Sequence, residues 1–201
     1  MALPKKPSRN TTLSRDAWVR AALNAVAQEG LQAVAVEPLA QVLGVTKGSF
    51  YWHFSNRDDL VQAVLDAWEQ DQSLDVVTRY QGIEDPRRRL RVLLFAAFED
   101  TENGKVFAAL AASSEDPRVQ PHLRRATARR LELGREAFLA LGFDEEDARQ
   151  RALLAYAAYA GYFQLLRSTP EAVAEVTDLS GYVRRLADAL VPTPTPTTRR
   201  A

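Results

Sequence analysis

The chain of 201 residues contains no cysteine, two histidines and one methionine, and its basic and acidic residues balance at 26 each. Without thiols it forms no disulfide, zinc–cysteine site, iron–sulfur cluster or cysteine nucleophile. No apolar stretch reaches the ~18 residues that a membrane span needs. The basic residues near the N-terminus are not followed by an apolar run, so we expect no secretory signal peptide. We therefore predict a cytoplasmic protein without a membrane partner.

The sequence also has few groups that could carry catalysis. Its two histidines, His53 and His122, are far apart, and neither has a nucleophile motif beside it. There is no glycine-rich phosphate loop and no convincing pair of carboxylates. His122 lies near Glu115 and Asp116 in sequence, but this set is too sparse for a metal site. We predict that the chain is not an enzyme and that it binds no cofactor and no metal.

Charge is distributed unevenly along the chain. The first 57 residues hold seven Lys or Arg and only three Asp or Glu, so the remainder carries an excess of acidic residues. A basic end favours a polyanionic partner such as nucleic acid. The hydrophobic fraction of 46% and the charged fraction of 26% are those of an ordinary globular protein rather than of a disordered chain.

Helical periodicity marks every long segment, and no segment has the alternation and turn punctuation of a strand. We therefore predict an all-α fold. The predicted helices cover 14–29, 36–43, 47–53, 56 into the seventies, 86–100, 105–114, 117–141, 144–167 and 175–190. Residues 192–201 form a proline–threonine tail whose composition predicts disorder.

Two short predicted helices, joined at Gly44, form a helix-turn-helix pattern. On the second of them Phe50 and Phe54 share one face, where they would join the core of the unit. Tyr51 and Trp52 point the other way. Two interpretations remain open for this outer face: it enters a DNA groove with neighbouring polar residues at base edges, or a later helix covers it.

The segment GVTKGSFYWHFSNRDDL, residues 44–60, resembles the helix-turn-helix signature of the TetR family of bacterial transcriptional repressors. The matching residues are Gly44, Val45, Thr46, Gly48, Phe50, Tyr51, His53, Phe54 and Leu60. The resemblance extends over about 14–65. It implies a three-helix helix-turn-helix DNA-binding domain with a basic tail in 1–57 and a larger helical ligand-binding and dimerisation domain in 58–191.

The resemblance also implies which residues meet DNA. Lys47 and Ser49 would approach base edges. Tyr51 and His53 would donate to phosphates through the O–H and the ring N–H, and Arg57 would contact a phosphate at two points. The full predicted DNA-binding set is Thr46, Lys47, Gly48, Ser49, Tyr51, Trp52, His53 and Arg57. Lys5, Lys6 and Arg9 either form a minor-groove arm or are a solvated tail.

Two residues depart from the family pattern. Ala35 stands where a capping Ser or Thr is usual, and alanine accepts no capping hydrogen bond. Glu37 stands where a basic residue is common, and its carboxylate would repel a phosphate. Both departures predict a weaker grip of the helix 36–43 on DNA.

A homodimer is predicted from the two last long helices. The stretch ALLAYAAYAGYFQLL, residues 152–166, is apolar on all sides, so one face enters the chain's own core and the other needs a partner. The last helix has an apolar seam at helix-packing spacing. The predicted interface residues are Ala157, Ala158, Gly161, Leu165, Val176, Leu179, Val183 and Leu186. The alternative is one thick core that buries both helices internally.

In the TetR family a small molecule enters among the middle helices and changes the spacing of the DNA-binding domains. The candidate lining residues here are Phe95, Phe98, Phe107, Phe138, Tyr159 and Phe163, although aromatic residues at helical spacing are also typical of plain core. We therefore predict a ligand-responsive transcriptional repressor that binds a palindromic double-stranded DNA operator as a homodimer. The alternative is a helical protein-interaction module that does not bind DNA.

Overall fold

The computed structural model describes residues 14–80, 82–175 and 178–191, with the backbone alone over 71–80. Within these ranges the chain forms ten α-helices and no strand, which confirms the predicted all-α fold. A 3-10 turn, Leu31–Ala33, follows the first helix. The helices are α1 Arg15–Glu29, α2 Val36–Leu43, α3 Lys47–Phe50, α4 Arg57–Tyr80, α5 Pro86–Glu99, α6 Thr101–Ala111, α7 Val119–Leu139, α8 Glu145–Ser168, α9 Pro170–Ala174 and α10 Leu179–Leu190.

Short polar side chains and glycines set the helix ends. Ser14 caps α1, because its hydroxyl accepts a hydrogen bond from the N–H of Ala17. Asp100 and Asp144 cap α6 and α8 in the same way. Gly44 ends α2 with a φ of 67°, a left-handed conformation that favours glycine and turns the chain directly into α3.

Helices α1 to α3 form a small unit around aromatic side chains. Trp18, Phe50 and Phe54 are buried, and the Trp18 and Phe50 rings meet edge-on with centroids 5.3 Å apart. Leu39 of α2 is 2% exposed and completes this core. The inward face of α3 is therefore the one that helical periodicity predicted.

The N-terminal unit is joined tightly to the rest of the chain. Helix α1 packs against α6 as well as against α4. Helix α4 begins at Arg57 and runs without interruption across the predicted boundary between 57 and 58. Division of the chain into domains at this point therefore remains a prediction.

The larger part of the chain is a bundle in which α7 and α8 pack side by side and α6 lies against α8. Gly104 permits the approach of α6 to α8, because a Cβ at this position would overlap the ring of Phe163. Phe163 itself is 1% exposed. A side chain at position 104 would displace this ring from the core.

The C-terminal part differs from its prediction. The expected helix 175–190 begins later, as α10 after Asp178, whose carboxylate accepts from the N–H of Gly181, and a separate short helix, α9, ends at Ala174. Val183 is 1% exposed and packs inside its own chain, so it presents no surface to a second copy here, and the predicted dimer interface stays a prediction. Helix α3 also ends earlier than predicted, since residues 51–53 form a turn. Lys5, Lys6, Arg9, Val176 and the tail 192–201 lie outside the described residues.

Candidate DNA-binding surface and effector cavity

Aromatic side chains stand exposed at the end of α3. Trp52 is 83% and Tyr51 57% exposed, and no described helix covers either side chain. The alternative in which a later helix buries this face is therefore wrong. Lys47 and Gly48 are exposed on the same element, and Ser49 is half-buried. Thr46 precedes α3 as predicted, but its hydroxyl forms no capping hydrogen bond.

Lys47 is held by an acidic residue. Its Nζ donates to Oε1 of Glu37 in α2 at 2.7 Å, and both side chains remain exposed. Hydrogen bonding and charge attraction from Lys47 hold the pKa of the Glu37 carboxyl below its usual value, and Glu37 raises the pKa of Lys47 in return. Neither the resemblance nor the periodicity predicted this pair, which joins residues ten positions apart.

Arg57 braces the N-terminal unit. Its Nε donates to the carbonyl of Val34 at 2.6 Å, and its Nη2 donates to the carbonyl of Leu31 at 3.2 Å. These bonds fasten the 3-10 turn to the start of α4. Two of the five N–H donors of the guanidinium are therefore engaged within the chain, and a two-point contact of Arg57 with phosphate through the remaining donors stays a prediction.

His53 is only partly available to a ligand. Its Nε2 is buried and has no hydrogen-bond partner among the residues that the structure describes. The same holds for the indole N–H of Trp18, in the same unit. A phosphate contact through Nε2 of His53 would require the ring to move, so this contact also remains a prediction.

A cavity of about 540 Å³ lies among α5, α6, α7 and α8. Of the six predicted lining residues, Phe98, Phe138 and Tyr159 line it. Phe107 and Phe163 instead pack against the ring of Tyr159, with centroids 5.4 and 4.9 Å away. Phe95 lines a separate groove with the arginines of α5. The cavity thus lies among the middle helices, as the resemblance implied, but only three of the six predicted residues line it.

Polar groups meet at one end of this cavity. Arg130 of α7 lies over the ring of Tyr159, its guanidinium carbon 4.4 Å from the centroid. Glu99, Asp100 and Asn103 form the rim at the α5–α6 corner. The rest of the wall is aliphatic or aromatic. The cavity therefore suits a mostly apolar molecule that carries a polar group.

The α5–α6 corner also faces the N-terminal unit. Asp100 and Asn103 line a second cavity, of about 440 Å³, whose other walls come from α1, α4 and the rest of α6. The Oδ1 of Asn103 accepts a hydrogen bond from the indole N–H of Trp68 at 3.0 Å, and Trp68 is 2% exposed. One hydrogen bond thus links the wall of the larger cavity to α4, the helix that follows α3.

A buried ion cluster ties α4 to α7. His122 is 5% exposed, and its Nδ1 lies 2.7 Å from Oε2 of Glu69. Arg125 and Arg129 of α7 also contact this carboxylate. Hydrogen bonding from Arg125 and then from His122 lowers the pKa of Glu69 to about 2. No pattern in the sequence predicted this cluster, because Glu69 and His122 lie 53 positions apart.

One side of α8 carries large apolar side chains on which no other described residue packs closely. Leu153, Leu154 and Leu165 are 57, 60 and 49% exposed. Ala157 and Gly161 are exposed between them, and a Cβ on Gly161 would meet no described atom within 4 Å. At ~100° per residue these five residues share one face, which we call the open face of α8, opposite the cavity-lining Ala152 and Tyr159. The sequence pattern predicted Ala157, Gly161 and Leu165 here and missed the other two leucines.

The comparison with protein families finds a match over the helix-turn-helix of this chain. The family model for bacterial regulatory proteins of the tetR family matches residues 19–64, from α1 into α4. Over residues 19–64 the chain is therefore similar to bacterial regulatory proteins of the tetR family, in agreement with the resemblance that the helix-turn-helix segment showed. The relatives and solved structures reported below are named as transcriptional regulators and not as enzymes.

Relatives of known sequence are also helix-turn-helix transcriptional regulators. The regulator TtgR of Pseudomonas putida is 34% identical over 83 residues, which are 41% of this chain and 40% of TtgR. The chain thus matches about two fifths of the length of this relative. Over the described residues no helix is long and apolar enough to span a membrane.

Solved structures of transcriptional regulators share the fold over most of the chain. A TetR regulator from Legionella pneumophila matches with a TM-score of 0.73 at 16% identity, covering 90% of this chain and 98% of that one. A regulator from Saccharomonospora viridis, solved in complex with choline, matches with a TM-score of 0.69 at 19% identity, covering 88 and 92%. At these identities the likeness concerns the fold alone.

Proposed function

We propose that this chain is a cytoplasmic, ligand-responsive transcriptional repressor of the TetR family that binds a palindromic operator as a homodimer. The observation that carries the proposal is the exposure of Tyr51 and Trp52 at the end of α3, inside the segment that matches the family. An exposed tryptophan beside an exposed tyrosine forms an apolar surface patch of the kind that marks an interaction site. Insertion of α3 into a major groove would bring both side chains against DNA.

The open face of α8 supports the homodimer. A second copy would cover Leu153, Leu154 and Leu165, and Gly161 would let the two helices approach closely. A two-fold axis through this face gives two copies of α3 in a symmetric arrangement. Such a dimer requires an operator with inverted half-sites about one helical turn, or a multiple, apart.

The cavity supports an effector. In the Saccharomonospora viridis regulator the fold is found with choline bound. Here the mostly apolar wall favours a small molecule with a larger apolar part. An effector releases DNA only if it binds more tightly to the conformation that does not fit the operator. A hundredfold loss of operator affinity corresponds to about 2.7 kcal/mol of coupling.

Substitutions on α3 separate phosphate contacts from base contacts. Tyr51→Phe removes a hydroxyl donor to phosphate and should weaken binding to the operator and to scrambled DNA alike, by about 0.5–1.5 kcal/mol. Lys47→Ala should reduce the discrimination between them by about 1–3 kcal/mol. Fluorescence anisotropy titrations with both duplexes, over a series of salt concentrations, measure the two effects. Equal effects of the two substitutions on discrimination would contradict the assigned roles.

Salt dependence tests DNA binding itself and separates it from a helical interaction module. Binding through phosphates releases counterions, so affinity for duplex DNA should fall steeply as salt rises. A gel shift on the region upstream of the chain's own coding sequence shows whether any DNA is bound. Affinity that stays flat between low and physiological salt, or no shift at all, would favour a module that binds only protein.

The hydrogen bond between Trp68 and Asn103 is expected to carry part of the effector response. Asn103→Ala removes the acceptor, so a ligand at the α5–α6 corner loses one connection to α4. We expect the loss of operator affinity caused by the effector to shrink by about threefold to tenfold, the worth of one hydrogen bond. Operator affinity without effector should change little, and the response is compared at saturating effector because Asn103 also lines the cavity. Thr101→Ala, at the same corner, leaves the Trp68 hydrogen bond in place and is the matched control, and an equal change there would refute the link.

A further inference from the structure

The ion pair between α2 and α3 bears on DNA recognition, and the inference drawn from it rests on the proposed function. Lys47 is the only Lys or Arg between Gly44 and Asn56, and Glu37 accepts from it at 2.7 Å. Both side chains are more than half exposed, at 52 and 74%. Water and ions screen such pairs strongly, so this one contributes little to stability. The pair matters instead because it fixes where the charges of Lys47 and Glu37 lie on the surface.

Each partner occupies a helix end that explains the pairing. Glu37 lies in the first turn of α2, whose N-cap residue Ala35 forms no side-chain capping bond. An acidic side chain is favourable there because the helix N-terminus is electropositive. Lys47 lies in α3, which is a single turn of four residues, and its Nζ reaches back to this carboxylate. Glu37 is therefore favourably placed at the start of α2 and at the same time holds Lys47 through the ion pair.

We propose that Glu37 is a specificity-determining residue, which positions Lys47 for base contact and opposes its capture by phosphates of non-operator DNA. An ammonium group has three N–H donors. With one donated to Glu37, two remain for O6 and N7 of a guanine in the major groove. Contact with a guanine edge is therefore compatible with the pair.

Contact of Lys47 with a phosphate is not equally compatible. The Glu37 carboxylate would be carried within a few ångströms of the phosphate charge, since it lies 2.7 Å from the same ammonium. Like charges at such a distance repel. Non-specific binding depends almost wholly on phosphate contacts. The pair therefore costs non-specific affinity more than it costs operator affinity.

The test compares Glu37→Gln with Glu29→Gln on two short duplexes. One duplex is selected by the wild-type chain from a randomised pool, and the other has the same bases in scrambled order. Glu29 is exposed at the end of α1, so Glu29→Gln removes the same charge without touching Lys47. Glu37→Gln should raise affinity for the scrambled duplex about threefold to tenfold over this control and steepen its salt dependence by about one counterion. Affinity for the selected duplex should rise by less, so the specificity ratio falls.

A second background shows whether Glu37 acts through Lys47. In Lys47→Gln protein, Glu37→Gln should behave like Glu29→Gln, because the freed cation is absent. Equal behaviour of the two glutamate variants in the wild-type background would overturn the proposal. A gain that persists in the Lys47→Gln background would also overturn it, since Glu37 would then act on phosphates directly. A wild-type chain that binds neither duplex would overturn this inference together with the proposed function, and only that outcome affects both.

Discussion

Arginine in place of Gly161 is expected to yield monomers that bind the operator at least about a hundredfold more weakly than the wild-type chain. Gly161 lies in the middle of the open face of α8, between Ala157 and Leu165. In a dimer built on this face, two arginines would meet across the axis in an apolar surrounding, and unpaired charge in such a place is strongly unfavourable. Loss of the second α3 removes the avidity of two linked half-site contacts, which is worth about 10²–10⁴ in affinity.

Analytical ultracentrifugation at micromolar concentration and anisotropy with the operator duplex measure the two consequences. Ala140→Arg, an exposed alanine at the C-terminal end of α7, is the matched control and should remain dimeric. Gly161→Ala is a further check, because it should affect the stability of a monomer and that of a dimer in opposite directions. A Cβ there meets no described atom of the chain, so alanine should stabilise a monomer by about 1 kcal/mol but weaken a dimer that needs the close approach. A dimeric Gly161→Arg protein would contradict this interface.

The fold was predictable from the sequence wherever short-range chemistry decides it. Helical periodicity placed Phe50 and Phe54 inward and Tyr51 and Trp52 outward, because ~100° per residue leaves few alternatives on so short an element. The predicted starts of the helices at residues 14 and 144 agree with α1 and α8 to within one residue, and Ser14 and Asp144 cap these helices. The later start of α10 was missed, since the apolar spacing of the seam begins before it.

The sequence predicted which residues form the candidate DNA-binding surface, but it did not predict the contacts that these residues make. The positions of Lys47 and Arg57 followed from the resemblance, but their partners did not. Glu37 and the carbonyls of Leu31 and Val34 lie ten to 26 positions away in sequence, and only the folded chain brings them within 3.2 Å. A pattern of residue types indicates which donors exist, whereas tertiary packing decides which of them are already engaged.

The cavity shows the same division between what local patterns and tertiary packing determine. Aromatic residues at helical spacing identified Phe98 and Tyr159 among its walls. They did not distinguish these from Phe107 and Phe163, which lie one layer further into the core, because both layers repeat with the helical period. Arg130 has the charge pattern of a solvated face in sequence, yet its guanidinium stacks on Tyr159. Long side chains with an apolar stem lie on either surface, so their position depends on the neighbouring helix.

Tryptophan in place of Ala155 is expected to reduce the effector response strongly while leaving DNA binding intact. Ala155 lines the cavity from α8, on the side opposite the open face, and is half-buried. The cavity, of about 540 Å³, is larger than an indole, so we expect the free energy of unfolding to fall little. The indole would occupy part of the cavity, so a ligand that shifts operator affinity a hundredfold should bind more weakly and shift it less.

The measurement starts from a compound screen by thermal shift on the wild-type chain, followed by calorimetry with and without the operator duplex. Linkage is reciprocal, so an effector that weakens operator binding a hundredfold must itself bind a hundredfold more weakly to the operator complex. The effector should bind Ala155→Trp protein more weakly, with and without the operator, whereas Val92→Trp, in the separate α5 groove, should respond as the wild type does. A compound with equal affinity for the free and the DNA-bound protein would not be an inducer. Effector affinity and an effector response that Ala155→Trp leaves unchanged would place the effector elsewhere.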